Sequence, residues 1–312
     1  MPRKQTRLTF SCGIYRFLTQ DALYDLAWSE VHHDQVLVAS GDGSVKLFDA
    51  TVPTFPIANW KNHVREVLSV NWNMRTKDTF CSSSWDGTVK VFVPDRPQPI
   101  RDLPTHSCTY SADFNPTEPN ILSCVASDSL LRVWDLREPT PTPNHLALQI
   151  PIHGAAQAPS MLGQPGMGMG SCPPSEALTH DWNKYRSTVI TTAGVDRVIR
   201  TFDIRAPHQG PLSLMLGHEY AIRKVTWSPH LPDLLLSAGY DMTCRVWFDG
   251  SSSQPPNGPI PYRGEQHAQM NTHSEFVTGV DWCLFGNHGW AASVGWDENL
   301  YVWDVKKVAG II

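Results

Sequence analysis

The stretch LGHEYAIRKVTWSPHLPDLLLSAGYDMTCRVW, residues 216–247, decides the fold. It opens with His218, passes through the run RKVTW, and turns at Ser228-Pro229-His230. A small-residue run, LLLSAGY, follows; a tight turn then starts at Asp241, and TCRVW closes the unit on Trp247. Short β-branched and aromatic runs bounded by turn residues are the mark of consecutive antiparallel strands. The unit recurs along the chain. An Asp followed six residues later by an aromatic appears at Asp42/Phe48, Asp86/Phe92, Asp128/Trp134, Asp196/Phe202, Asp241/Trp247 and Asp297/Trp303. The Asp-to-Asp steps are 44, 42, 68, 45 and 56 residues, and the two long steps contain visible insertions. A period of this size signals one supersecondary unit repeated around a shared core. His63, His106, His218 and His273 precede their Asp by 23, 22, 23 and 24 residues. The runs LSVNW, YSADF, RKVTW and TGVDW follow those histidines, while YDLAW and LTHDW lead the two repeats that lack one.

Over residues 19–305 this pattern resembles the WD40 family, which implies an all-β, seven-bladed type of β-propeller with four strands per repeat. In that family the turn Asp, the loop His, a strand Ser or Thr and the third-strand Trp form a buried hydrogen-bonded network. The resemblance places two full sets here: His218, Ser237, Asp241, Trp247 and His273, Ser293, Asp297, Trp303. A buried carboxylate or indole N–H is costly unless satisfied, and a complete network stiffens the blade. Three repeats carry Phe where Trp would donate, so shorter networks are expected there. Six repeats are clear. Residues 8–17, LTFSCGIYRF, alternate like one further strand, the remnant of a truncated first blade. Such a strand is expected to complete the last blade and cover its open edge. The chain therefore reads as a single propeller domain over 1–312. The segments 138–175, which includes QPGMGMGSCPPS, and 249–270, rich in Ser, Pro, Asn and Gly, are expected to be flexible insert loops.

Bulk properties narrow the function classes. Apolar residues make up 41 % of the 312, enough for a large core, and 12 are Trp. The net charge of −5 lacks the basic stripe of a nucleic-acid binder. None of the seven Cys has CxxC spacing, and Cys81, Cys124 and Cys244 sit in strand-like runs as buried, reduced thiols. No apolar run approaches the ~18 residues of a membrane span. The start, MPRKQTRLTFSCGIYR, shares the charge profile of a mitochondrial transit peptide but soon alternates like a strand. Phosphate-cradling GxxxxGK, GxSxG and HExxH motifs are absent, and His32-His33-Asp34 falls at a turn where polar residues are ordinary. The expectation is a binding platform rather than an enzyme, with no cofactor and no metal. Trp134-Asp135-Leu136-Arg137 matches the short box by which some WD40 proteins dock on cullin ubiquitin ligases, so a ligase substrate receptor is one alternative and a generic assembly scaffold another.

Several stretches go beyond the repeat: FLTQDALYDLAWSE at 17–30, SSSWDGTVKV at 82–91, DWNKYR at 181–186, AIRKVTWSPH at 221–230, YDMTCRVW at 240–247 and HSEFVTGVDW at 273–282. Together they resemble the WD40 receptors for the type 2 peroxisomal targeting signal. That family carries a complete first blade at the front, where this chain has MPRKQTRLTFSCGIYR; the expectation is a ring of six blades with a borrowed strand, or a start further upstream. The resemblance implies a receptor that binds the N-terminal signal of cargo proteins in the cytosol. With a co-receptor, it would deliver them to the peroxisomal docking machinery and the matrix. The signal reads Arg or Lys, an aliphatic residue, five residues, His or Gln, then Leu or Ala, and it is taken up as an amphipathic helix. In a propeller the entry of each first strand and the residue before each turn Asp share one rim. The first set gives Asp21, Glu66, Glu176 and Glu275, with Tyr24 and Tyr220; the second gives Trp85, Tyr240 and Trp296. Carboxylates pair with a signal's cation and aromatic faces take its apolar side chains. Asp21 and Glu66, on adjacent repeats, are the expected partners of the basic residue.

Overall fold

The computed structural model describes residues 19, 21–52, 56–137, 146–152, 175–253, 261–284 and 289–309. Each repeat folds as one twisted antiparallel sheet, in chain order from its first strand outward. Blade 1 comprises Leu23–Trp28, Gln35–Ser40, Val45–Asp49 and Ala58–Trp60; blade 2 comprises Val67–Trp72, Phe80–Ser84, Thr88–Phe92 and Arg101–Pro104. Blade 3 comprises Thr109–Phe114, Ile121–Ala126, Leu130–Asp135 and Leu146–Pro151. Blade 4 comprises Ala177–Trp182, Val189–Gly194, Val198–Asp203 and Ser213–Leu216, and Tyr262–Arg263 adds a parallel fifth strand to its edge. Blade 5 comprises Ile222–Trp227, Leu234–Gly239, Cys244–Phe248 and Glu265–Met270. Blade 6 shows three strands among the described residues: Val277–Trp282, Trp290–Gly295 and Leu300–Asp304.

The sheets stand round a central channel, with the first strand of each blade beside that of the next. Because side chains alternate across a strand, each blade offers an apolar face to both neighbours. Five apolar clusters result, one for each junction from blade 1 to blade 6. Between blades 1 and 2, for example, Leu37, Val45, Leu47 and Trp60 pack on Val67, Trp72, Phe80 and Phe92. The Phe80 and Phe92 rings stack at 5.0 Å. Cys81, Cys124 and Cys244 are buried free thiols in these clusters.

Among the described residues no comparable cluster joins blade 6 to blade 1. Leu26 is 65 % exposed, while its counterparts Val70, Ala112, His180, Val225 and Val280 are buried. Across the opening, Leu300 and Val302 are 64 % and 59 % exposed. The architecture is thus a β-propeller with six blades among the described residues. The expected strand at residues 8–17 lies outside the described residues.

Two expectations need correction. The segments 138–175 and 249–270, read as insert loops, each contain sheet. Leu146–Pro151 is the outer strand of blade 3, and Glu265–Met270 is that of blade 5. Turn-rich composition hid them, because an outer strand needs backbone pairing and has little apolar surface to bury. The pattern of Glu265–Met270, exposed for its first three residues, shows this.

Candidate functional site

The hydrogen-bonded networks fix the rim before any ligand arrives. In blade 5, His218 Nδ1 lies 2.8 Å from Asp241 Oδ2 and Nε2 lies 2.6 Å from Ser237 Oγ. The Trp247 indole donates to the same hydroxyl at 2.8 Å. Burial alone would raise the Asp241 carboxyl, but hydrogen bonds from His218, Thr243 and the Glu219 N–H hold it well below the usual range. Burial also lowers the His218 imidazole from its ordinary range, against the pull of Asp241. Blade 6 repeats the arrangement through His273, Asp297 and Ser293, each contact 2.9 Å. The Trp303 indole, expected to complete it, is buried without an acceptor among the described residues. Blade 2 builds the shorter version that its Phe92 implies: His63 lies 2.8 Å from both Asp86 and Ser82. The turn carboxylates also accept N–H groups of the preceding loop, from Val64 and Glu219 at 3.2 Å and from Ser274 at 3.3 Å.

Blade 3 departs from the sequence reading. His106 does not reach Asp128; it sits exposed at φ 58°, and Ser107 donates to Asp128 at 3.0 Å instead. The Ser123 hydroxyl, which donates to the Asp113 carbonyl at 3.3 Å, meets His180 Nε2 and the Trp182 indole of blade 4, both at 2.8 Å. Burial, aided by Lys224 and Lys184, depresses His180 to about 3. One blade's serine is therefore satisfied by its neighbour's first strand, which ties the two sheets together.

Both predicted residue sets do share one rim. The residue before each turn Asp donates its N–H to the entry of its own first strand: Trp85 to Glu66 at 3.1 Å, Val195 to Glu176 at 3.0 Å, Tyr240 to Ala221 at 2.9 Å and Trp296 to Phe276 at 2.9 Å. Just inside this rim every first strand slips register by one residue against its second strand. The skipped residues are Tyr24, Leu68, Tyr110, Leu178, Arg223 and Thr278. Such a bulge re-aims its side chain, and all six line a cavity of about 640 Å³ at the channel mouth.

Of the predicted residues, Tyr24, Trp85, Tyr240 and Trp296 line this cavity; Asp21, Glu66, Glu176, Tyr220 and Glu275 stand on the rim outside its lining. Two aromatic groups flank the mouth. Phe276 sits between Tyr240 and Trp296, with ring centres 5.0 and 5.2 Å away. On the other side Trp85 meets the edge of Tyr110, whose hydroxyl donates to Glu176 at 3.0 Å. Burial and this carboxylate push the Tyr110 phenol well up. Trp296 is 64 % exposed and Tyr220 62 %, so large apolar surface is offered to solvent.

The rim is less uniformly acidic than the sequence reading had it. Arg65 lies 3.5 Å from Glu66 and 5.4 Å over the Trp85 ring, and Arg223 stands in the mouth itself. The sequence reading also missed Tyr110, Phe276 and Arg223. A signal existed for two of them: Tyr110 and Arg223 lie four residues before the aromatic that ends their strand, the position bulged in all six blades. On the opposite rim, Arg137 is clasped to Asp135 at 2.5 Å, and the backbone of Leu136 is tied to Asn120. His33 bonds Asp34 at the surface, and among the described residues no set of three His, Cys, Asp or Glu could hold a metal. Among those residues, too, no helix is long and apolar enough to cross a membrane. Such a mouth has the chemistry to receive an amphipathic segment, with aromatic surface for apolar side chains and separated charges for the ends.

Residues 55–92, 97–135, 210–247 and 264–304 match the WD40 family, described as WD domain, G-beta repeat. The chain is 37 % identical to the peroxisomal targeting signal 2 receptor of Saccharomyces cerevisiae, covering 92 % of this chain and 84 % of that one. It is 32 % identical to the protein of that name from Schizosaccharomyces pombe, over 91 % and 80 %. Its identity to peroxisome biogenesis protein 7 of Arabidopsis thaliana is 36 %, over 91 % and 79 %.

Proposed function

Because this chain belongs to the WD40-repeat family of peroxisomal targeting signal 2 receptors, we propose that it binds the type 2 signal of cargo proteins as a helix laid across the channel mouth. It then carries that cargo, with a co-receptor, from the cytosol to the peroxisomal docking machinery and the matrix. The observation that carries the reading is the mouth itself: about 640 Å³ of cavity, ringed by bulged side chains and flanked by two aromatic groups. Exposed aromatic clusters of this kind mark interaction sites. The signal's two apolar positions fall near one face of a helix and suit the aromatics, while its basic residue suits Asp21 and Glu66.

The test is retention of a synthetic type 2 signal peptide by the purified chain with co-receptor present. Reversing both Asp21 and Glu66 to Lys is expected to weaken retention at least about tenfold, the scale of losing one or two charge-assisted contacts. Unchanged retention removes these two residues from the site. No retention by the unsubstituted chain removes the function.

A further inference from the structure

The six bulged residues form a ring around the mouth, and in five blades they are uncharged: Tyr24, Leu68, Tyr110, Leu178 and Thr278. In blade 5 the position is Arg223. The side chain is half-buried. Among the described residues its guanidinium has no hydrogen bond and no ion pair. Its charge is felt by the Tyr110 phenol across the mouth, whereas the charge of its neighbour Lys224 is felt by the carboxylates of Asp113 and Asp281. Other rim arginines are also engaged: Arg65 lies against Glu66 and Trp85, and Arg197 donates to the Glu219 carbonyl at 3.3 Å. Arg223 is thus a cation held in a partly desolvated mouth by a backbone irregularity that aims it there. Its position matters too. Blade 5 stands three places round the ring from blade 2, so Arg223 faces the channel opposite Glu66, while Asp21 of blade 1 lies beyond blade 6; the carboxylates of the flanking blades, Glu176 and Glu275, stand outside the mouth's lining, and Glu176 accepts the Tyr110 hydroxyl.

We infer that Arg223 binds the carbonyl end of a docked helix, and that Arg223 on one side with Asp21 and Glu66 on the other sets the direction in which the helix lies. This rests on the proposed reading that the mouth receives the signal as a helix. The last carbonyls of a helix lack partners within it and carry about half a negative charge. A guanidinium presents a planar fork of donors to such oxygens. An acidic side chain in the last turn presents the same chemistry to Arg223. The signal's basic residue lies at the opposite, N-terminal end, where Asp21 and Glu66 wait. A helix laid in the reverse sense would put its basic residue against Arg223 and its carbonyls against two carboxylates, so the rim discriminates by repulsion as well as attraction.

Three synthetic signal peptides test this, with Asp, Ala or Lys one helical turn after the final Leu or Ala of the signal. The unsubstituted chain with co-receptor is expected to bind the Asp peptide about tenfold more tightly than the Lys peptide, with Ala between. Arg223→Glu is expected to reverse that order, and Arg223→Gln to abolish the discrimination and to weaken the Ala peptide severalfold through the lost carbonyl contacts. An unchanged order in Arg223→Glu overturns the assignment. Thermal unfolding at the unsubstituted midpoint establishes that both variants are folded. If the unsubstituted chain binds none of the peptides, the signal-receptor reading itself fails; if it binds all three alike, that reading stands and the direction set by Arg223 does not.

Discussion

At the residue scale, the turn Asp, loop His and strand Ser decide how firmly a rim loop is held, and their networks are not equal. Ser237 Oγ serves both His218 and Trp247, whereas Ser293 Oγ serves His273 while the Trp303 indole finds no acceptor among the described residues. Ser237→Ala strands two buried polar groups and is expected to cost about 2–4 kcal/mol. Ser293→Ala strands one and is expected to cost about 1–2 kcal/mol. Urea unfolding of the two variants side by side checks the ordering; equal losses would show that the Trp247 bond contributes nothing. Serine was readable at both places from the repeat. Substitution of the neighbouring blade's His180 for a loop histidine at Ser123 was not, because it depends on which sheet lies alongside.

At the scale of the element, what matters is how tightly the second strand runs beside the entry of the first. Gly194 closes the second strand of blade 4, and a Cβ there would lie 2.1 Å from the Glu176 carbonyl and 2.9 Å from Ala177 Cα. Both are backbone atoms, so nothing flexible can give way. Gly194→Ala is expected to destabilise by about 1–3 kcal/mol and to push out the loop that holds Glu176 against Tyr110. A lowered unfolding midpoint together with weakened peptide retention checks this; a fall in stability with retention intact would separate the loop from the site. The small residue at this step is visible in the sequence as the end of TTAG, like the Gly239 of LLLSAGY. The bulge one strand over is equally regular, always four residues before the closing aromatic, yet periodicity-2 alternation conceals it: a one-residue slip changes which face a side chain takes.

Over the whole molecule, stability is unevenly distributed. Among the described residues, blades 2 to 5 are packed on both faces, whereas blades 1 and 6 each leave an apolar face without such a cluster, through Leu26 on one side and Leu300 and Val302 on the other. Local opening free energy follows buried contact. Amide hydrogen exchange is therefore expected to be slowest in the second strands of blades 2 to 5 and faster, by at least about tenfold, in those of blades 1 and 6. Uniform protection round the ring would show the opening to be closed in solution. The mouth is lined from all six first strands, so faster exchange at the junction between blades 6 and 1 would bear directly on Tyr24 and Trp296, which flank it.

The sequence by itself determined the repeat and the six blades, because an Asp-to-aromatic spacing and a strand-turn rhythm are local properties set by backbone geometry and burial; of the scaffold residues it misassigned His106 and the indole of Trp303. It also placed Asp21, Glu66, Trp85, Tyr240 and Trp296 on one rim, since that follows from position within the repeat. Tertiary structure decided which of these side chains reach the mouth, that Tyr110 and Phe276 complete the aromatic groups, and that Arg223 stands among them. Those outcomes rest on contacts between blades distant in sequence, which leave no trace in composition or period, and on a one-residue register slip whose place in the repeat is regular but whose effect on the side chain shows only in the paired strands.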